Sequence, residues 1–204
     1  MFSGIVSGSF PCLDFIESSS KIIFKRPSSF TNLSVGDSVS VDGVCLTLEN
    51  LKKDEMTFAL GVETLSVTKW DSSSFENRFF NLEKALTLHQ PLGGHLLTGH
   101  VDGRMKVLSS KKKQESLILK LEIPEGYLKF FCPKGFLALN GVSLTINQVR
   151  QNEMEVCIIP QTLKMSNLSQ LKANDFCLFE VDYYARILIH HFTSLSKSEI
   201  LLKS

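Results

Sequence analysis

No run of apolar residues in this 204-residue chain approaches the roughly 18 that a helix needs to cross a bilayer. Its opening also lacks the basic segment and long apolar stretch of a secretory signal. Cysteine is scarce and poorly placed for staples or metal: five residues (12, 45, 132, 157, 177), an odd number, with no C-x-x-C pair. Neither a disulfide framework nor a zinc knuckle is expected, and reduced thiols in the cytoplasm are the default reading. An excess of one charge is missing too, because 22 basic and 21 acidic side chains leave a net +1. No global field therefore gathers nucleic acid or an anionic membrane. The one basic run, Lys111-Lys112-Lys113, lies between apolar segments and reads as a solvated hairpin tip. A glycine-rich strand-to-helix fingerprint for dinucleotides is also absent.

What the chain does hold is a phrase written twice. Asp42-Gly43-Val44-Cys45-Leu46-Thr47-Leu48 returns 98 residues later as Asn140-Gly141-Val142-Ser143-Leu144-Thr145-Ile146. The same offset carries Glu63-Thr64-Leu65 onto Gln161-Thr162-Leu163, and an offset of 95 carries Gly4–Gly8 onto Gly99–Gly103. Near 97, Phe79–Glu83 falls on Phe176–Glu180. Four matched blocks in one order mean a duplicated domain. Two similar halves can offer two similar pockets, hence two similar ligands. Each half is roughly 90 residues, and with 43% hydrophobic residues it can build its own core.

The repeated phrase is a hairpin. Asp-Gly and Asn-Gly suit the two central positions of a type I′ turn, where both residues need positive φ. Pairing outward from the first turn sets Val41 opposite Val44, Ser40 opposite Cys45, Val39 opposite Leu46 and Ser38 opposite Thr47. One face is then Val39, Val41, Val44 and Leu46; the other is Ser38, Ser40, Cys45 and Thr47. In the second copy Leu137, Leu139, Val142 and Leu144 share the apolar face, against Phe136, Ala138, Ser143 and Thr145. Short strands with turn signals every 8 to 12 residues favour a small closed antiparallel barrel in each half, which removes exposed edges. Short helices are expected in the crossovers, with Asn81 to Leu88 readable either way. Gly93-Gly94 breaks the pattern and marks the linker. The expected division is 1–92, 95–184 and a helical tail, 185–204. In that tail Ala185, Leu188, Phe192, Leu195, Glu199 and Leu202 alternate at spacings of three and four. This is an a/d seam that either packs on its own barrel or self-associates.

These residues resemble riboflavin synthase of the α-subunit type. The resemblance runs from Met1-Phe2-Ser3-Gly4-Ile5-Val6 through the two hairpins and Gly93-Gly94-His95-Leu96-Leu97-Thr98-Gly99-His100 to Phe179-Glu180-Val181-Asp182. A G-G-H-x-x-x-G-H string beside paired D/N-G-x-C/S-L-T motifs is far more specific than either alone. The resemblance implies tandem six-stranded antiparallel Greek-key β-barrels with a C-terminal α-helix, assembled as a homotrimer without metal or cofactor. It implies a reaction in which two molecules of 6,7-dimethyl-8-ribityllumazine dismutate by transfer of a four-carbon unit. The products are riboflavin and 5-amino-6-ribitylaminouracil. Each active site would lie between the N-terminal barrel of one subunit and the C-terminal barrel of another. Holding two heterocycles in contact supplies effective molarities of roughly 10⁵ M or more.

The resemblance also carries residues over. Cys45 and Thr47, with Ser38, belong to the N-terminal half-site; the Cys45 thiol either adds to the electrophilic lumazine carbon or only hydrogen-bonds. Ser38 either faces the ligand or solvent. His100 stands where the first copy has Ile5, and either moves a proton from the lumazine 7-methyl group or is structural. His95 is expected to orient the linker turn. Lys134, Ser143, Thr145 and Asp182 belong to the C-terminal half-site, where Asp182 either activates a water or hydroxyl or caps the tail helix. The ligand surface further includes Gly4, Ile5, Val6, Leu46, Gly99, Val101 and Leu144. Gly61-Val62-Glu63-Thr64 and Ile159-Pro160-Gln161-Thr162, followed by Leu163 and Lys164, are expected to pair with the pteridine edge as extended strands. Pro160 has no N–H, so the second half-site lacks the donor that Val62 offers.

The chain departs from the family pattern at Asn140, where acid is common, and at Asp71–Phe75, which replaces a glycine-containing turn. Two rival readings remain. Lumazine proteins share this form and hold a single lumazine without turning it over, but Lys134, Ser143, Thr145 and Asp182 favour the enzyme. A flavin reductase would need a nicotinamide domain for which the chain has no room.

Overall fold

The computed structural model describes residues 1–76 and 78–201, with side chains as far as Leu195. Six strands close a first antiparallel barrel: β1 (Gly8–Ile16), β2 (Lys21–Lys25), β3 (Ser38–Val41), β4 (Val44–Leu51), β5 (Glu55–Ala59) and β6 (Phe79–Lys84). A second six close another: β7 (Gly103–Lys113), β8 (Ser116–Glu122), β9 (Phe136–Leu139), β10 (Val142–Arg150), β11 (Glu153–Ile158) and β12 (Phe176–Val181). Around the barrels the orders β1-β2-β5-β4-β3-β6 and β7-β8-β11-β10-β9-β12 correspond strand for strand. Of the ambiguous segment Asn81 to Leu88, the part up to Lys84 is strand and the rest is neither strand nor helix. Helices α1 (Val62–Thr68) and α2 (Pro160–Met165) occupy matching crossovers, and α3 (Tyr183–Leu201) follows the second barrel. The lysine run ends β7 at an exposed hairpin turn, as its charge requires.

Both repeated hairpins have the expected register, including Ser38↔Thr47, Ser40↔Cys45 and Ser143↔Ala138. Asp42, Gly43, Asn140 and Gly141 all take positive φ, as a type I′ turn demands. The apolar faces are sealed: Val39, Val41, Leu137 and Leu139 have no exposed surface. The first core is aromatic, with Phe24, Trp70 and Phe75 all packed against Phe80 at centroid distances of 5.5–5.6 Å. The second is mostly aliphatic, built on Met105, Val107, Leu119, Leu121 and Val156.

The barrels are locked together tip to tip. A Cβ on Gly43 would lie 2.8 Å from the Gly141 nitrogen, and one on Gly141 would lie 2.6 Å from the Gly43 nitrogen. Only glycine permits both the turn and this approach. Around the tips runs a buried polar network. Asp42 accepts from the Asn81 N–H and from Asn167 Nδ2, each at 2.8 Å, and from Arg78 at 2.8 Å. Asn81 in turn donates to the Asn140 carbonyl, and Asn140 donates to Asn167 Oδ1.

The chain also crosses between barrels, which the repeats did not foretell. Phe2 and Leu97 exchange backbone hydrogen bonds of 2.8 and 3.0 Å. Beyond that bridge Val6 enters the second core, while Val101 packs against the first. At the C-terminal end Arg186 on α3 donates to both Asp102 carboxylate oxygens at 2.8 Å, pinning the helix to β7's approach. On the expected seam Ala185 is half-buried, but Leu188 (55% exposed) and Phe192 (64%) point away from the chain's own barrels, beside Tyr184 and Ile187. Leu202 and the side chain of Glu199 lie outside the described residues.

Candidate active site

The crossing segments build two related surfaces, the candidate half-sites. Glu83 at the end of β6 accepts from Ser3 N–H and Oγ, each at 2.7 Å, and from Gly4 N–H at 3.0 Å. Its repeat mate Glu180 does the same for Thr98 N–H and Oγ1 (2.8 and 2.7 Å) and Gly99 N–H (3.1 Å). This is what the matched Phe79–Glu83 and Phe176–Glu180 blocks are for. Burial raises the Glu83 pKa, and the Ser3 and Gly4 donors oppose the rise. Each clasped segment then bonds the other barrel's hairpin: Gly4 C=O accepts from Ser143 N–H at 2.9 Å, and Gly99 C=O accepts from Cys45 N–H at 2.8 Å. Both glycines have positive φ, and a Cβ on either would sit 2.5–2.6 Å from the Cβ of Ser143 or Cys45. The first residues of each repeat thus pack on the opposite barrel's hairpin, at its candidate half-site.

On the first barrel Cys45, Glu63, Thr64, Val67, Gly99, His100 and Val101 line a cavity of about 160 Å³. Cys45 is half-buried, and its thiol makes no side-chain hydrogen bond among the described residues. His100 is exposed, and among the described residues only its N–H is engaged, with Thr98 Oγ1 at 3.3 Å. A free imidazole beside a thiol and two hydroxyl- or carboxylate-bearing side chains can exchange protons with a bound heterocycle. On the second barrel the corresponding surface holds Ser143, Thr145, Ile5 and the start of α2. Exposed apolar side chains rim both half-sites, Val62 on one and Ile5 and Ile159 on the other. Such a rim suits the face of a flat ring.

Several expected residues fall elsewhere. Leu46 and Leu144 point into the barrel cores, 3% and 7% exposed, so only their backbone faces a ligand. Val6 is buried in the second core for the same reason. Gly61–Thr64 and Ile159–Thr162 are not extended strands. Only Gly61 and Ile159 have β geometry, and helices α1 and α2 begin at Val62 and Pro160. Proline fits there because its missing N–H is unused at a first helical position. Thr64, Thr162 and Leu163 are half-buried on these helices, whereas Gln161 and Lys164 are exposed. Ser38 is half-buried opposite exposed Thr47. Lys134 is an exposed turn residue with φ 68°, at the end of the hairpin away from Asn140-Gly141. Asp182 Oδ1 accepts the Tyr184 N–H at 3.1 Å, which is the capping contact. Its charge also reaches His95.

His95 is the residue that sequence reasoning undervalued. Its Nδ1 lies 2.7 Å from Ser143 Oγ, and its ring stacks on Phe136 with centroids 5.2 Å apart. The histidine of the G-G-H string was the available signal. Its partner 48 residues away could not be read from spacing.

The family model described as Lumazine binding domain matches twice, over residues 3–85 and 98–182. Riboflavin synthase of Photobacterium leiognathi is 35% identical over 158 residues, 78% of this chain and 72% of that one. That of Chlamydia pneumoniae is 33% identical over 82% of this chain and 81% of its own. That of Buchnera aphidicola subsp. Baizongia pistaciae is 29% identical over 97% and 94%. Among solved structures, LumP complexed with riboflavin superposes with a TM-score of 0.80 at 20% identity, covering 89% of this chain and 99% of that one. LumP complexed with 6,7-dimethyl-8-(1'-D-ribityl) lumazine gives 0.76 at 19% over the same shares, a likeness of fold. With two barrels of matching topology and the domain model matched once on each, the chain belongs to the lumazine-binding family in its tandem form, the family of these riboflavin synthases.

Proposed function

We propose that this protein is a riboflavin synthase, a transferase that dismutates two molecules of 6,7-dimethyl-8-ribityllumazine into riboflavin and 5-amino-6-ribitylaminouracil. The observation that carries this reading is the pairing of two half-sites with one architecture and different chemistry. Cys45 and His100 furnish one; Ser143, Thr145 and the apolar Ile5 furnish the other. Two copies of a single substrate need like surfaces, and their unlike roles as donor and acceptor need unlike side chains. The riboflavin synthase relatives support the same conclusion. Incubation with the lumazine alone tests it: absorbance should report one riboflavin for every two lumazines consumed. A stably bound lumazine with no riboflavin would instead identify a binding protein.

The reading extends to a cytoplasmic homotrimer with active sites shared between subunits. Five free thiols suit a reducing compartment. Exposed Tyr184, Ile187, Leu188 and Phe192 on α3 offer an apolar face for self-association. Complementation tests the shared site. Thr47 and Thr145 are exposed on the two ligand-facing hairpins, so Thr47→Trp and Thr145→Trp should each block one half-site without disturbing a core. Each trimer alone should be inactive. Unfolded together and refolded, mixed trimers should recover part of the activity, and lose it at dilutions where the trimer dissociates. Mixed trimers that form and stay inactive would rule the arrangement out.

A further inference from the structure

We propose that His95 is a positioning residue, whose ring holds the Ser143 hydroxyl in one orientation toward the ligand of the second half-site. This rests on the reading that Ser143 faces that ligand. Every part of the pair except the hydroxyl rotor is already fixed. The Ser143 N–H is bound to Gly4 C=O at 2.9 Å, and Leu97, two residues after His95, is laddered to Phe2. His95 itself is only 6% exposed, and its ring lies nearly parallel to Phe136, at 16°. The 2.7 Å contact between Nδ1 and Oγ then removes the last freedom.

A neutral imidazole has one donor and one acceptor nitrogen. With the hydrogen on Nε2, Ser143 donates to Nδ1 and turns lone pairs toward the ligand. With the hydrogen on Nδ1, Ser143 accepts and its O–H is free to donate. Either way the ligand meets one kind of group rather than a rotating one. Nε2 is buried without a partner among the described residues, so Ser143 is the ring's one hydrogen-bonding contact. Burial lowers the His95 pKa and so favours the neutral form this role needs, opposed in part by the Asp182 charge. Cys45, the repeat mate of Ser143, has no comparable partner among the described residues. The half-sites therefore differ in restraint as well as in element: an oriented hydroxyl faces one ligand and an unrestrained thiol the other.

A double-mutant cycle tests this. His95→Phe keeps the stacking on Phe136 and removes Nδ1; His95→Asn keeps a polar atom; Ser143→Ala removes the hydroxyl. With wild type and the His95→Phe/Ser143→Ala double variant, kcat, KM and Tm are measured on the lumazine. His95→Phe should lower kcat by about 10- to 100-fold, the range seen when the partner orienting a functional side chain is lost. KM and Tm should change little, His95→Asn should recover part of kcat, and the double variant should be no slower than Ser143→Ala. Wild-type kcat in His95→Phe, or losses that multiply in the double variant, would overturn the proposal. Normal turnover in Ser143→Ala would instead remove Ser143 from the site, and the proposal with it. Should even the wild type bind lumazine without turnover, the activity reading fails alone. The same cycle is then read in Kd by fluorescence titration, where additive effects overturn the pairing and non-additive ones support it.

Discussion

Replacing His100 by alanine should lower turnover by about 10² to 10⁴, the usual worth of a positioned acid–base group. The fold should not notice. The side chain is exposed, forms no hydrogen bond among the described residues, and extends from a segment whose backbone is held by the Cys45 N–H and the Glu180 carboxylate. Its repeat mate is Ile5, an apolar residue in the same relation to the other hairpin. On the proposed reading, His100 gives the first half-site a proton-transfer group where the second has only Ile5. Steady-state rates and Tm measured together decide the matter: unchanged Tm with near-normal turnover would remove His100 from the chemistry.

Asp42→Ala should cost about 3 kcal/mol of stability or more, the lower end of the range for breaking a buried ion pair. Arg78 keeps 31% of its side chain exposed and can partly resolvate, which places the loss at that end. The Asn81 N–H and Asn167 amide cannot, and alanine also tolerates poorly the left-handed φ of 47°. The network has a pH signature as well. Burial pushes Asp42 from an ordinary 3.8 up to about 6, with Arg78 and the N–H donors restraining the rise. The folded state therefore holds this proton more tightly than the unfolded chain. Its contribution is fully present below about pH 4 and is lost as pH rises through about 6. Asp42→Asn keeps the turn, as Asn140 does in the second copy, and removes the titration. Denaturant unfolding from pH 4 to 7 should show the wild type losing stability relative to Asp42→Asn, by on the order of 3 kcal/mol. Parallel curves for the two proteins would refute the assignment.

Much of this molecule was legible in one dimension. The hairpin faces followed from alternation and an Asp-Gly or Asn-Gly turn, because a two-residue loop leaves no choice of register. The duplication announced two barrels, and it paired Glu83 with Glu180 before either had a role. Local chemistry carries those conclusions, since turn dihedrals and side-chain alternation depend on neighbours in the chain. The contacts that make the site depend on distant ones. Gly4 meets Ser143, and Gly99 meets Cys45, only because each repeat's first residues cross to the other barrel. No periodicity encodes a crossing. Asp42 looked like a turn residue and proved to be the centre of a clasp, because burial is conferred by a second barrel. The α1 and α2 starts read as strand because each continues the strand after its hairpin, β5 or β11, and Gly61 and Ile159 are still extended. Seven and six residues of helix are too few to show a period. Turns and the repeat thus determined the two barrels, and the resemblance of their motifs pointed to the family. Tertiary structure alone brought His95 to Ser143, because a contact at 2.7 Å is set by two docked cores and not by the 48 residues between them.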